Sequence, residues 1–263
     1  MIKHILTLLL SVFIFSHPIN IFSSSLDSQE ITAIKLVEKI HNRILSYPEM
    51  QNWQASVLTT LYEMNKNWEP KKKTIIEKLI TVKNKIRKEH ILRATEFDNN
   101  EIKDKTAKYQ AEAIKFNKNN ELNQAQGRER KKGRHRGMDL SREELFPFGE
   151  NRKNDYEFAL HEDSWIDKQK AYVLETRSNQ KSSDYFEGKY YVHPETFDIL
   201  RAELRPAKKP GPLRLLEMHI DFARLPEGYL VIEKAKVRIH VGLIIKNIRM
   251  ESEEIYSEYK FFD

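Results

Sequence analysis

Leu216-Glu-Met-His-Ile-Asp-Phe222 and, after a turn, Ala235-Lys-Val-Arg-Ile-His-Val241 alternate apolar and polar residues without interruption. Successive side chains of a β-strand point to opposite faces. Leu216, Met218, Ile220 and Phe222 therefore share one face, opposite Glu217, His219 and Asp221. Val231, Ala235, Val237, Ile239 and Val241 likewise oppose Lys234, Lys236, Arg238 and His240. Leu225-Pro-Glu-Gly-Tyr229 lies between them and has turn chemistry. The pair reads as an antiparallel hairpin with one dry and one wet face.

The same rhythm continues in both directions. Upstream, Tyr156, Phe158 and Leu160 share a face, as do Tyr172, Leu174 and Thr176, then Tyr190 with Val192, then Leu200, Ala202 and Leu204. Downstream, residues 243–251 and 255–262 read as two more strands. Nearer the start, residues 55–64, 73–82 and 86–95 have strand composition, with a turn at 67–70 and a break at Asn84. About ten or eleven consecutive strands are too many for a flat sheet and must curl or close. The expected fold is mainly β: a strongly curved antiparallel sheet with a helix lying over its apolar concave side.

The lid is expected from residues 27–47. Asp27 and Glu30 have capping-box spacing, and Ile31, Ile34, Val37, Ile40 and Ile44 form one stripe. Ile34, Val37 and Ile40 are the residues assigned to cover the concave face. A second, short helix is expected at 106–116, with Tyr109, Ala113 and Phe116 on one side. Residues 117–137 are polar and charged, and read as a mobile insertion that cannot offset its ordering entropy. Leu145-Phe-Pro-Phe148 then reads as an apolar knot plugging an edge of the core.

At the N-terminus, Lys3 and His4 precede an apolar run at 5–15, with small residues at Ser23, Ser24 and Ser25. This is the pattern of a secretory signal peptide, assigned to residues 1–25. The run is shorter than the ~20 residues a membrane helix needs. One domain is expected over 26–263, exported to the periplasm or cell envelope. With no cysteine, disulfides, thiolate metal sites and a cysteine nucleophile are excluded.

The 45 basic and 39 acidic residues leave a net charge of +6. Much of that excess sits in Arg128, Arg130, Lys131, Lys132, Arg134 and Arg136. These six are assigned to contact with anionic lipid headgroups or a partner protein. Few aromatics interleave with them, so a nucleic-acid partner is not expected. His219 and Asp221, with Glu217 and either His193 or His240, could supply metal ligands. A solvated outer strand face explains the same residues, and no metal is expected. No nucleophile elbow, HExxH helix, phosphate-cradling loop or dinucleotide fingerprint occurs, so neither an enzyme nor a cofactor is expected.

Gly188-Lys-Tyr-Tyr-Val-His-Pro-Glu-Thr196 is a strand entering a turn, followed by Ile199-Leu-Arg-Ala-Glu-Leu-Arg-Pro-Ala207, Leu215-Leu-Glu-Met218 and, at the end, Glu258-Tyr-Lys-Phe261. This succession resembles the outer-membrane lipoprotein-sorting family, the LolA/LolB/RseB-like group. Lys88-Glu-His-Ile-Leu-Arg-Ala-Thr-Glu96 and Glu144-Leu-Phe-Pro-Phe148 resemble a branch of it. The resemblance implies a half-barrel of antiparallel strands with helices as a lid, whose apolar concave face holds acyl chains of lipoproteins or lipids. The corresponding cavity residues are assigned as Tyr190, Val192, Leu200, Leu216, Met218, Ile220, Val237 and Ile239. It also implies an alternative role, an RseB-like envelope-stress sensor that uses the cavity to act on a membrane-associated partner.

Overall fold

The computed structural model describes residues 31–99, 101–125, 145–243 and 247–262. The chain divides into two compact units, Met1–Ile31 and Thr32–Asp263. All the elements that follow belong to the second. The segment assigned as a signal peptide, the Asp27/Glu30 capping pair and the basic residues Arg128 to Arg136 lie outside the described residues.

Helix α1 (Ala33–Ser46) begins later than the sequence suggests. Thr32 is its N-cap, its hydroxyl accepting from the Lys35 amide at 3.3 Å. Leu36, Val37, Ile40 and Ile44 form the buried stripe, whereas Ile34 is 71% exposed. A helix advances about 100° per residue, so Ile34 falls well outside the sector those four share. The lid assignment of Ile34 is therefore corrected, and Leu36 takes its place in the stripe.

Among the described residues, eleven antiparallel strands make one curved sheet, with two edges left open. In chain order they are β1 (Trp53–Met64), β2 (Pro70–Lys83), β3 (Ile86–Asp98), β4 (Glu101–Asp104), β5 (Tyr156–Ile166), β6 (Gln169–Ser178), β7 (Phe186–Val192), β8 (Ile199–Pro206), β9 (Leu213–Arg224), β10 (Leu230–Gly242) and β11 (Asn247–Phe261). The order across the sheet is β4-β3-β2-β1-β11-β10-β9-β8-β7-β6-β5. Two meanders, β1–β4 and β5–β11, are thus joined by the first and last strands, with Val57 opposite Tyr256 and Thr59 opposite Glu254. β4 and β5 are neighbours in the strand sequence yet sit at opposite edges.

The inner face carries the residues assigned from alternation: Leu204, Met218, Ile220, Phe222 and Ala235 are all buried. Over β7 to β9 the Leu145–Phe148 knot packs on it. Phe146 meets Phe222, Phe148 meets Tyr190, and the Tyr190 hydroxyl donates to the Leu145 carbonyl at 2.5 Å. The outer face is a lattice of opposite charges across strands, including Arg201 with Asp221, Lys236 with Glu251 and Arg238 with Glu217.

α1 is fixed at the β5 side. Arg43 donates to Asp198 in the β7–β8 turn at 2.5 Å, and Tyr47 donates to the same carboxylate at 2.6 Å. Burial pushes the Asp198 carboxyl up, but the hydrogen bonds from Arg43, Tyr47 and Thr196 outweigh it and leave it below its ordinary range.

Helix α2 (Thr106–Ala125) runs about nine residues past the expected short helix, into the stretch read as a mobile insertion. The reason lies in β3. Short β4 pairs only with residues 95–98 of that strand, so most of β3 is a sheet edge. Along it, the Asn117 amide group donates to the Glu89 carbonyl at 2.9 Å and its oxygen accepts from the Glu89 amide at 2.9 Å. Asn120 donates to the Arg87 carbonyl, Gln110 to the Ile91 carbonyl, and the Thr106 hydroxyl accepts from the Ala94 amide. Positions 106, 110, 117 and 120 fall within one narrow helical sector. This polar stripe replaces a missing strand and protects the edge.

Candidate functional site

Between α2 and the inner face lies a cavity of about 620 Å³. Its apolar wall combines Leu61 of β1, Ile76 of β2 and Ile91 of β3 with Tyr109, Ala113 and Phe116 of α2. Leu216 and Met218 of β9, Ala235, Val237 and Ile239 of β10, Met250 of β11 and Phe186 of β7 complete it. Ala113 is the small residue that lets α2 approach the sheet, where it packs with Ile76, Ile91 and Ala94.

The wall is interrupted by charge. Thr59, Lys78, Glu89 and Glu254 also line the cavity. All occupy inward positions of their strands, because Thr59 faces Glu254 across β1–β11, and Lys78 lies between Ile76 and Ile80 on β2. The Lys78 ammonium is 3.0 Å from Glu254 and 3.5 Å from Glu89, and Arg87 is 2.7 Å from Glu89. Thr59 and Tyr256 donate to the two oxygens of Glu254 at 3.2 and 2.7 Å.

These partners decide the protonation state. Burial raises the Glu254 carboxyl, but the nearby Lys78 and Arg87 charges and the hydrogen bonds from Tyr256 and Lys78 overcome it, bringing the pKa to about 2. The carboxyl is therefore ionised at neutral pH. Burial, reinforced by the Glu254 charge, holds the Tyr256 hydroxyl well above the usual phenol range. A buried charge is tolerated only when paired and hydrogen-bonded, and this cluster meets both conditions. Toward the rim the lining residues are Glu63, Lys108 and Glu112.

The eight assigned cavity residues divide into three groups. Leu216, Met218, Val237 and Ile239 line the cavity. Tyr190, Val192 and Ile220 face the same way but are completely buried in the neighbouring core. Leu200 is only half-buried and does not line the cavity. A bulge in the β7–β8 pairing sets Val192 opposite Ile199, which takes the core position that Leu200 would otherwise fill.

The lid assignment needs a larger correction. Val37 and Ile40 are core residues of α1, but α2 covers the cavity, and none of Ile34, Val37 or Ile40 lines it. Alternation on β9 and β10 is visible in the sequence. The charged floor was missed, although Thr74, Ile76, Lys78 and Ile80 alternate with Ile75, Glu77 and Leu79 and so place a lysine in phase with isoleucines.

The candidate metal residues are engaged elsewhere. Asp221 accepts from Arg201, His219 lies 3.7 Å from Glu203, and the His193 ring nitrogen accepts from the Glu195 and Thr196 amides. Among the described residues no group of three His, Asp or Glu side chains could hold a metal ion.

The sequence matches no family profile and no curated protein. Solved structures do resemble the fold. One is a Vibrio parahaemolyticus domain assigned to outer membrane lipoprotein sorting: 13% identity, 86% of this chain and 91% of that one, TM-score 0.39. Another is a LolA superfamily protein from Nitrosomonas europaea: 14% identity, 89% and 94% of the two chains, TM-score 0.38. A third is the MucA/MucB complex of Pseudomonas aeruginosa: 8% identity, 88% and 99%, TM-score 0.26. The likeness is one of fold.

Proposed function

We propose that this chain is an exported, non-catalytic binding protein that holds lipoprotein or lipid acyl chains in the cavity between α2 and the sheet. The observation that carries this reading is the cavity itself. Its volume of about 620 Å³ lies inside the ~300–1,000 Å³ range of ligand pockets, and apolar side chains from eight elements make most of its wall. Each methylene removed from water by such a wall gains about 0.8 kcal/mol, so affinity should rise with chain length until the space is full.

Two features of the sequence support a place in the envelope. Residues 1–25 have the organisation of a secretory signal, and the basic run from Arg128 to Arg136 suits an anionic lipid surface, at about 1 kcal/mol per charge near the headgroups. Transfer of lipoproteins between membranes is the finer form of the proposal.

Native mass spectrometry of protein purified from the envelope tests the reading, together with titration of the neutral fluorophore N-phenylnaphthylamine. Co-purified lipid and saturable fluorescence are the expected results. Val237 faces Met218 and Ser252 across its two strand pairs, so Val237→Trp should project into the cavity and weaken the signal without unfolding the chain. A mature protein that carries no lipid and shows no saturable probe binding would refute the proposal.

A further inference from the structure

The acyl-chain reading leaves open which head group the cavity accepts, and the charges in its wall bear on that. Counted by sign among the described residues, the lining carries four carboxylates, Glu63, Glu89, Glu112 and Glu254, against two ammonium groups, Lys78 and Lys108. Arg87 stands beside Glu89 at 2.7 Å and adds a third positive charge, leaving an excess of one negative charge.

The distribution matters as much as the sum. The buried lysine of the lining, Lys78, is held between Glu254 and Glu89, and both side chains of its Glu254 pair are at most a tenth exposed. A carboxylate or phosphate brought to Lys78 would have to displace one of these partners, leaving a like charge beside it with little water to screen the pair. A hydroxyl, ester or amide can instead accept from the ammonium or donate to a carboxylate oxygen without adding charge. An ammonium group would offset the acidic excess.

Resting on the acyl-chain reading, we infer that the cavity selects long-chain amphiphiles with a neutral or cationic head and discriminates against free fatty acids and other anionic single-chain lipids. The apolar wall supplies affinity, and the Lys78–Glu89–Glu254 floor together with Glu63 and Glu112 supplies the selection. One unscreened like charge at ~8 Å and an effective dielectric of ~20 weakens binding by more than about tenfold.

The test is displacement of bound N-phenylnaphthylamine from the mature protein at neutral pH by dodecanol, dodecylamine and dodecanoate, which share one chain and differ in head group. Dodecanol and dodecylamine should compete about tenfold or more better than dodecanoate. The gap should narrow in the rim variant E63Q/E112Q and close further in E254Q, with circular dichroism confirming that each is folded. Should E254Q fail to fold, the rim variant alone decides. Dodecanoate competing as well as dodecanol, or a gap of the same size in every folded variant, would overturn the inference. Absence of probe binding would instead strike the acyl-chain reading itself, and the inference with it.

Discussion

Replacing Asn117 with alanine removes two hydrogen bonds that fasten α2 to the open edge of β3, and Asn119 provides an internal control. Asn117 both donates to and accepts from the backbone of Glu89, each at 2.9 Å. Asn119 lies two residues on, on the exposed side of the same helix. A net hydrogen bond contributes about 1 ± 0.5 kcal/mol, so N117A should lose ~2 kcal/mol of pairing. Alanine's better helix propensity returns about 0.5 kcal/mol at either position. N117A should therefore be destabilised by ~1.5 kcal/mol and N119A unchanged or slightly stabilised.

For a domain of this size the difference corresponds to about 4–8 °C in Tm. Thermal unfolding of the two variants, with amide hydrogen exchange at Glu89, measures it. Protection of the Glu89 amide should fall in N117A alone. Equal Tm values, or unchanged protection, would mean that the polar stripe does not hold the helix and that the edge is closed in some other way.

Gly188 has φ of 152°, and a Cβ there would lie 1.9 Å from the Glu203 carbonyl oxygen of the neighbouring strand. Gly188→Ala should cost more than about 3 kcal/mol, read as a fall in the urea midpoint. Asp198→Ala strips the acceptor from Arg43 and Tyr47, and should cost about 1–3 kcal/mol and speed amide exchange in α1. Glu254 has a folded-state pKa of about 2 against an ordinary 4.5. Its stabilisation is thus fully present above pH 4.5 and lost as pH falls towards 2. An acid titration of stability should show this loss, and E254Q should flatten the curve in that window.

The strands were legible because a half-buried sheet imposes a two-residue period that survives in composition, as on β9 and β10. The same logic located Leu216, Met218, Val237 and Ile239. It failed at Leu200, where one extra residue in the β7–β8 pairing changes which side chain turns inward, and a bulge leaves no mark in alternation. Helix α2 was half legible. Tyr109, Ala113 and Phe116 share the cavity side, but Ile114 and Leu122 are exposed, and much of its order comes from amides meeting a strand edge, which a hydrophobic period cannot reveal.

By itself the sequence determined an antiparallel sheet with one dry face, because alternation is local and each strand records its own burial. The tertiary structure decided that β1 pairs with β11, that α2 and not α1 covers the cavity, and that Lys78, Glu89 and Glu254 converge in its wall. Those outcomes depend on distant partners, such as Lys78 and Glu254, 176 residues apart, and no local period encodes which distant strand or helix will meet a given face.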